Sequence, residues 1–203
     1  MQQRRLFIKE VSTHLVPPPG KSGIAPSLSK FATREDCNGA MMTNGASTDS
    51  RVPNGQNEIP FKGSDSSNPT VLPISILSQF QVTFLIRHPI RSIPSYYRLT
   101  VPPLSATTRF HYFNPEEAGF REERLLLQFL IDSGLLKKEN VILIDADDLL
   151  DNPRAVVEEY CRRVGIEFRE EMLSWEEKER YEEFERGRGF HEDALRSSGL
   201  KAV

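Results

Sequence analysis

Twice in this chain an apolar run ends at a charged residue and a helix signal follows at once. Gln81 to Ile86 (QVTFLI) stops at Arg87, with Pro89 two residues on, and Val141 to Asp145 (VILID) runs into ADDLLDNP. Short, nearly continuous apolar runs suit strands covered on both faces in a parallel sheet. Proline at the first helical position loses no intrahelical bond, so Pro89 marks a helix start. Strand, helix, helix, strand, helix is α/β order, with right-handed crossovers expected. The expected fold is three-layer α/β, a short parallel sheet flanked by helices.

The remaining elements follow from local signals. Arg5 to Lys9 (RLFIK) reads as a short strand, ended by Pro17, Pro18 and Pro19. Val71 to Leu77 (VLPISIL) reads as a short helix or an irregular lead-in. Pro94 sits inside the helix that starts at Pro89 and predicts a kink or a helix of two turns. Asn114-Pro115, with Glu117 behind it, opens a helix carrying Phe120, Leu126, Leu127, Phe129, Leu130 and Leu135, with Gly134 at its end. Asn152-Pro153 opens another, with Val156, Val157, Tyr160 and Val164 on one stripe and Gly165 as the stop. Ser174 and Glu177 form a capping box ahead of a charged helix. No internal repeat is present.

Between these elements the composition shifts. Residues 35–68 are rich in Asn, Gly, Ser and Asp, with too few apolar groups to offset ordering entropy, and read as a disordered insertion in a single domain spanning 1–203. Asn38-Gly39, Asn44-Gly45 and Asn54-Gly55 are turn dipeptides, but their flanks lack apolar alternation, which argues against hairpins.

The net charge of −3 argues against a nucleic-acid partner, so any anion site must be local. Cys37 and Cys161 have no paired spacing and fit a reducing compartment. The N-terminus has no apolar core of a secretory signal, and no stretch reaches the ~20 apolar residues of a membrane helix. A soluble cytoplasmic protein without a membrane partner is the expectation.

Arg87 would stand at the carboxyl end of a strand, where open α/β sheets bind ligands. The helix from Pro89 would add free backbone N–H groups and a positive dipole end. A guanidinium matches phosphate oxygens, and Ser95 adds a hydroxyl donor. The alternative is an exposed arginine capping a strand and an ordinary helix serine.

FLIRHPIRSIPSYYR resembles the 3′-phosphate-binding segment of sulfotransferases, with an arginine at a strand end and a serine eight positions later. IDADDLLDNPRAVVEEYCRRVGI resembles that family's acidic-Leu motif, its Asn/Asp-Pro helix start and the helix closing on Gly-apolar. GFHEDALRSSGL resembles the tail of a fungal sulfotransferase-like group whose members often sit in secondary-metabolite clusters, a pyrrolopyrazine cluster among them. The resemblance covers Thr70 to Leu200, and Arg5 to Pro19 more loosely. It implies a P-loop NTPase-like fold and transfer of a sulfuryl group from 3′-phosphoadenosine-5′-phosphosulfate (PAPS) to a small hydroxyl or amine acceptor. Arg87 and Ser95 would hold the 3′-phosphate. Arg188, or Arg186 beside it, would close over the nucleotide, against the alternative of a glycine hinge.

The chain also departs from that pattern. Only Met1 to Arg4 precede RLFIK, where the family places its first strand and 5′-phosphosulfate loop, so an N-terminally incomplete domain is expected. A remnant or accessory protein keeping only the 3′-phosphate half-site is the alternative to an enzyme, and a nucleotide kinase lacks its Gly-Lys-Ser/Thr loop. No catalytic base is assigned: Lys9, Glu10 and His14 lie near RLFIK, but His14 also reads as a loop residue. His88 reads as a strand-end cap and His111 as structural or exposed. Asp145, Asp147 and Asp148 read as helix caps rather than a metal site. Trp175, Tyr181 and Phe184 read as packing rather than an acceptor pocket.

Overall fold

The computed structural model describes residues 6–18, 20, 23–32, 34–35, 41–42, 64–175 and 197–200, with backbone only at 34–35 and 41–42. They fall into two compact units, 1–81 with 119–141 and 82–118 with 142–203.

The first unit holds α1 (Ser12–Leu15), a 3-10 turn at Pro26–Phe31, β1 (Arg34–Glu35), β2 (Met41–Met42) and α2 (Ile74–Leu77). The expected strand at RLFIK is absent: Leu6 to Glu10 have no regular structure, and Leu6 is 81% exposed. A strand needs a ladder partner as well as apolar residues, and none pairs with this segment among the described residues. β1 pairs antiparallel with β2, which corrects the expectation against hairpins. Backbone pairing on either side of a turn dipeptide does not require apolar alternation.

The residues just before α2 form a polar knot. Asn68 Nδ2 donates to Asp65 Oδ1 and to the Leu72 carbonyl, and the Thr70 amide donates to Asn68 Oδ1 at 2.9 Å. Asp65 Oδ1 also accepts the Ile74 amide at the start of α2. Asn68 and Thr70 are buried, as are Pro73 and Ile74. Of residues 35–68, all but Glu35, Met41, Met42 and 64–68 lie outside the described residues.

The long helix of this unit buries Leu126 and Leu130, four residues apart on one face. It runs from Phe120 to Asp132 rather than from Asn114-Pro115, which starts a separate 3-10 turn at Pro115–Ala118. Gly119 breaks the two apart at φ +76°, a left-handed conformation that favours glycine. Its carbonyl accepts the Ser12 hydroxyl at 3.1 Å, tying α1 to this helix. Gly134, at φ +76°, follows the helix end as expected.

The second unit carries β3 (Phe84–Ile86), α3 (Pro89–Thr100) and α4 (Ser105–Thr108). With the Phe120–Asp132 helix as α5, the later elements are β4 (Leu143–Asp145), α6 (Ala146–Asp151) and α7 (Pro153–Val164). β3 and β4 are parallel, with Phe84 opposite Leu143, Leu85 opposite Ile144 and Ile86 opposite Asp145. The strands are not covered on both faces as expected: Phe84 is 5% exposed but Leu85 53% and Leu143 47%. α3 runs three turns through Pro94 instead of stopping at two. Its far end is held by side chains. Tyr96 and Tyr97 meet the Phe113 ring at 5.2 and 5.7 Å, and the Thr108 hydroxyl donates to the Leu99 carbonyl at 2.7 Å. α7 starts at Pro153 and ends at a left-handed Gly165, and it buries Cys161 and Val164. Among the described residues the fold is α/β, with a two-stranded parallel sheet and several helices.

Candidate anion site at the carboxyl end of the parallel sheet

The register sets the geometry of this site. Because Ile86 lies opposite Asp145, Arg87 and Ala146 leave the sheet at the same level, and α3 and α6 start at the same end. The two helix starts differ in charge. In α6 Asp145 is the N-cap, its carboxylate accepting the Asp147 amide at 2.8 Å, and Asp147 and Asp148 fill the first turn. Those carboxylates offset the positive end of the helix dipole. The first turn of α3 has no acidic residue and carries Arg91 instead.

The amides of that turn are nonetheless taken. The His88 ring accepts the Ile90 N–H through Nδ1 at 3.1 Å, and the His88 carbonyl accepts those of Arg91 and Ser92. Pro89 has none to offer. The free backbone N–H groups expected here are therefore not available, because the residue read as a strand-end cap is in fact the helix cap. An anion at this point meets side chains and the residual dipole rather than a backbone nest.

Arg87 is exposed and Ser95 partly buried in the second turn of α3. Among the described residues neither side chain has a hydrogen bond or ion pair to hold it elsewhere. Arg91 lies midway between them in sequence, and its Nε is 3.4 Å from Asp147 Oδ2 across the two helix starts. The other carboxylate oxygen, Asp147 Oδ1, is buried and has no hydrogen-bond partner among the described residues. Sequence reasoning passed over Arg91, although the spacing of four from Arg87 and four to Ser95 was readable. Arg188 and Arg186 lie outside the described residues.

The other candidates are accounted for locally. His14 Nδ1 pairs with Glu10 Oε1 at 2.7 Å. The adjacent Val11 amide, and then His14, hold the Glu10 carboxyl below its usual range. His111 is exposed. Tyr96 donates to Glu117 at 2.6 Å, and burial followed by that bond pushes its hydroxyl up to about 12. Among the described residues no group of three or more His, Cys, Asp or Glu is placed to hold a metal ion. No described helix is long and apolar enough to cross a membrane. Ser174, expected in a capping box, forms an antiparallel bridge with Gly199, while Glu177, Tyr181 and Phe184 lie outside the described residues.

Comparison with known proteins finds two relatives that carry a functional name. The chain is 27% identical over 187 residues to a protein named sulfotransferase ppzF from Metarhizium rileyi (strain RCEF 4871), covering 87% of this chain and 48% of that one. It is 31% identical over 121 residues to sulfotransferase ppzF from Metarhizium majus (strain ARSEF 297), covering 54% of this chain and 34% of that one. The chain is thus similar to two fungal proteins named sulfotransferase. The chain spans half or less of the length of either. No protein-family model and no solved structure matches it.

Proposed function

We propose that this chain carries the 3′-phosphate side of a PAPS site in a sulfotransferase-like protein. Arg87 binds the phosphate by its guanidinium fork and Ser95 by its hydroxyl, at the carboxyl end of β3. The whole protein then transfers a sulfuryl group from PAPS to a small hydroxyl or amine acceptor, releasing adenosine 3′,5′-bisphosphate. The observation that carries this reading is Arg87 itself. It follows directly on a parallel strand, ahead of a helix whose own first turn has no acidic residue, and it has no partner among the described residues. The named sulfotransferase relatives support the same direction.

PAPS would supply the reactive sulfuryl group. The residues present offer charge and donors suited to its 3′-phosphate. They bind and orient that end of the nucleotide and leave the transferring end to other parts of the protein. Arg188, outside the described residues, is proposed as a further nucleotide contact.

The test is a thermal melt with and without adenosine 3′,5′-bisphosphate, for the chain and for Arg87→Ala. A ligand at about a hundred times its dissociation constant stabilises by ~2.7 kcal/mol. The reading requires an upward shift that Arg87→Ala abolishes. A cooperative melt that the nucleotide leaves unmoved refutes it.

A further inference from the structure

We propose that Arg91 is a second guanidinium of the same anion site, held in reserve by Asp147. The inference deepens the phosphate reading above and rests on it for the identity of the ligand.

Three observations carry it. The first is placement: Arg91 and Ser95 are four residues apart on α3, so their Cβ atoms are neighbours at about 5–6 Å on one helix face. The second is the contact with Asp147. Its nearest approach is through Nε at 3.4 Å, and it lacks the geometry of a hydrogen bond. The Arg91 side chain remains 59% exposed, and neither terminal nitrogen has a hydrogen bond among the described residues. The third is the state of the backbone. His88 occupies the first amides of α3, so a phosphate here cannot be neutralised by a row of N–H groups and calls for more than one cation.

An exposed ion pair is weak, because water screens it and two long side chains must be ordered to hold it. Bidentate hydrogen bonds from a guanidinium to a phosphate are stronger and directional. A phosphate arriving between Arg87 and Ser95 therefore competes well for Arg91. Asp147 keeps the side chain extended over the helix start and opposes the incoming charge. Removing Asp147 and removing Arg91 should consequently act in opposite directions. A pair that merely braced the two helix starts would not behave so, since either change would break the same brace.

The experiment is calorimetric titration of adenosine 3′,5′-bisphosphate, and separately of inorganic pyrophosphate, into the chain and into Arg91→Ala, Arg91→Lys and Asp147→Asn. Arg91→Ala is expected to weaken both probes about tenfold, the value of one charge-assisted contact. Arg91→Lys falls between, since it keeps the charge and loses the fork, and it serves if the alanine variant does not fold. Asp147→Asn is expected to tighten both. Equal weakening by Arg91→Ala and Asp147→Asn, or no change with Arg91→Ala, overturns the proposal. If pyrophosphate binds through Arg91 while the nucleotide does not bind, the nucleotide reading falls and the second guanidinium stands. If the chain binds neither probe, both fall.

Discussion

Pro94 interrupts the helix that carries part of the proposed anion site, and replacing it has a calculable effect. It lies between Arg91 and Ser95, inside a helix that continues to Thr100. Without an N–H it cannot donate to the Ile90 carbonyl four residues earlier, and its ring crowds that carbonyl. A proline in a helix interior is worse than alanine by ~3 kcal/mol. Part of that is returned because proline restricts the unfolded chain, an effect of ~0.4–1 kcal/mol. Pro94→Ala should then stabilise the second unit by about 2 kcal/mol. For a chain of this size the melting temperature should rise by about 4–8 °C. Calorimetry reads the shift, and hydrogen exchange of the new residue 94 amide and its neighbours locates it in α3. A fall in melting temperature would refute the reasoning. It would mean that the packing of Tyr96 and Tyr97 on Phe113, and the hydrogen bond from the Thr108 hydroxyl to the Leu99 carbonyl, require the local backbone geometry that proline imposes.

Three further outcomes follow from local geometry. Gly119→Ala should destabilise by about 2 kcal/mol in a denaturant titration, because its Cβ would lie 2.8 Å from Ser12 Oγ and its φ is +76°. Adding Ser12→Ala should relieve the clash and leave the strain. Tyr96→Phe should cost ~1 kcal/mol at neutral pH through the lost bond to Glu117. The Tyr96 hydroxyl is raised from 10 to about 12, so the folded state holds its proton more tightly. Its contribution is present below pH 10 and fades as pH rises through 12, so stability above pH 10 should fall more steeply in the wild type than in the variant. Burial raises the Glu123 carboxyl above its usual 4.5, so its contribution is present at acid pH and lost as the group ionises. Glu123→Gln should therefore raise the melting temperature at pH 7, with the gain disappearing below pH 4.5. A constant gain at all pH values would exclude ionisation as the cause.

The features legible in the sequence were those decided within a few residues. Pro153 and Gly165 bound α7 because one lacks an N–H and the other accepts a left-handed φ. Pro89 opens α3 for the same reason. The sites of β3 and β4 were legible as apolar runs, but their three-residue lengths and one-sided cover were not, since these depend on which strands pair. RLFIK shows the converse, an apolar run that forms no strand. The knot of Asp65, Asn68 and Thr70 was hidden because its composition is that of an unstructured segment. Only the convergence of its side chains on the start of α2 distinguishes it. Arg87 and Ser95 are candidates from their places at a strand end and on the helix behind it, and from the resemblance those residues carry. The contact of Arg91 with Asp147 needs the parallel register that sets two distant segments side by side.

That register also explains how an acidic chain can keep a cationic point. Asp145 and Asp147 stand at the same end of the sheet as Arg87, where carboxylates would repel a phosphate. Asp145 directs its charge into the first turn of α6, where the helix dipole and the Asp147 amide absorb it. Asp147 turns one oxygen toward Arg91 and buries the other. The acidic charge is thereby committed to α6, and the start of α3 is left with arginine on either side of its cap. A phosphate bound there meets two guanidinium groups against one partly buried carboxylate. Its affinity should accordingly fall with added salt, with a slope that Arg91→Ala reduces. A slope unchanged by that variant would mean that Arg87 acts alone.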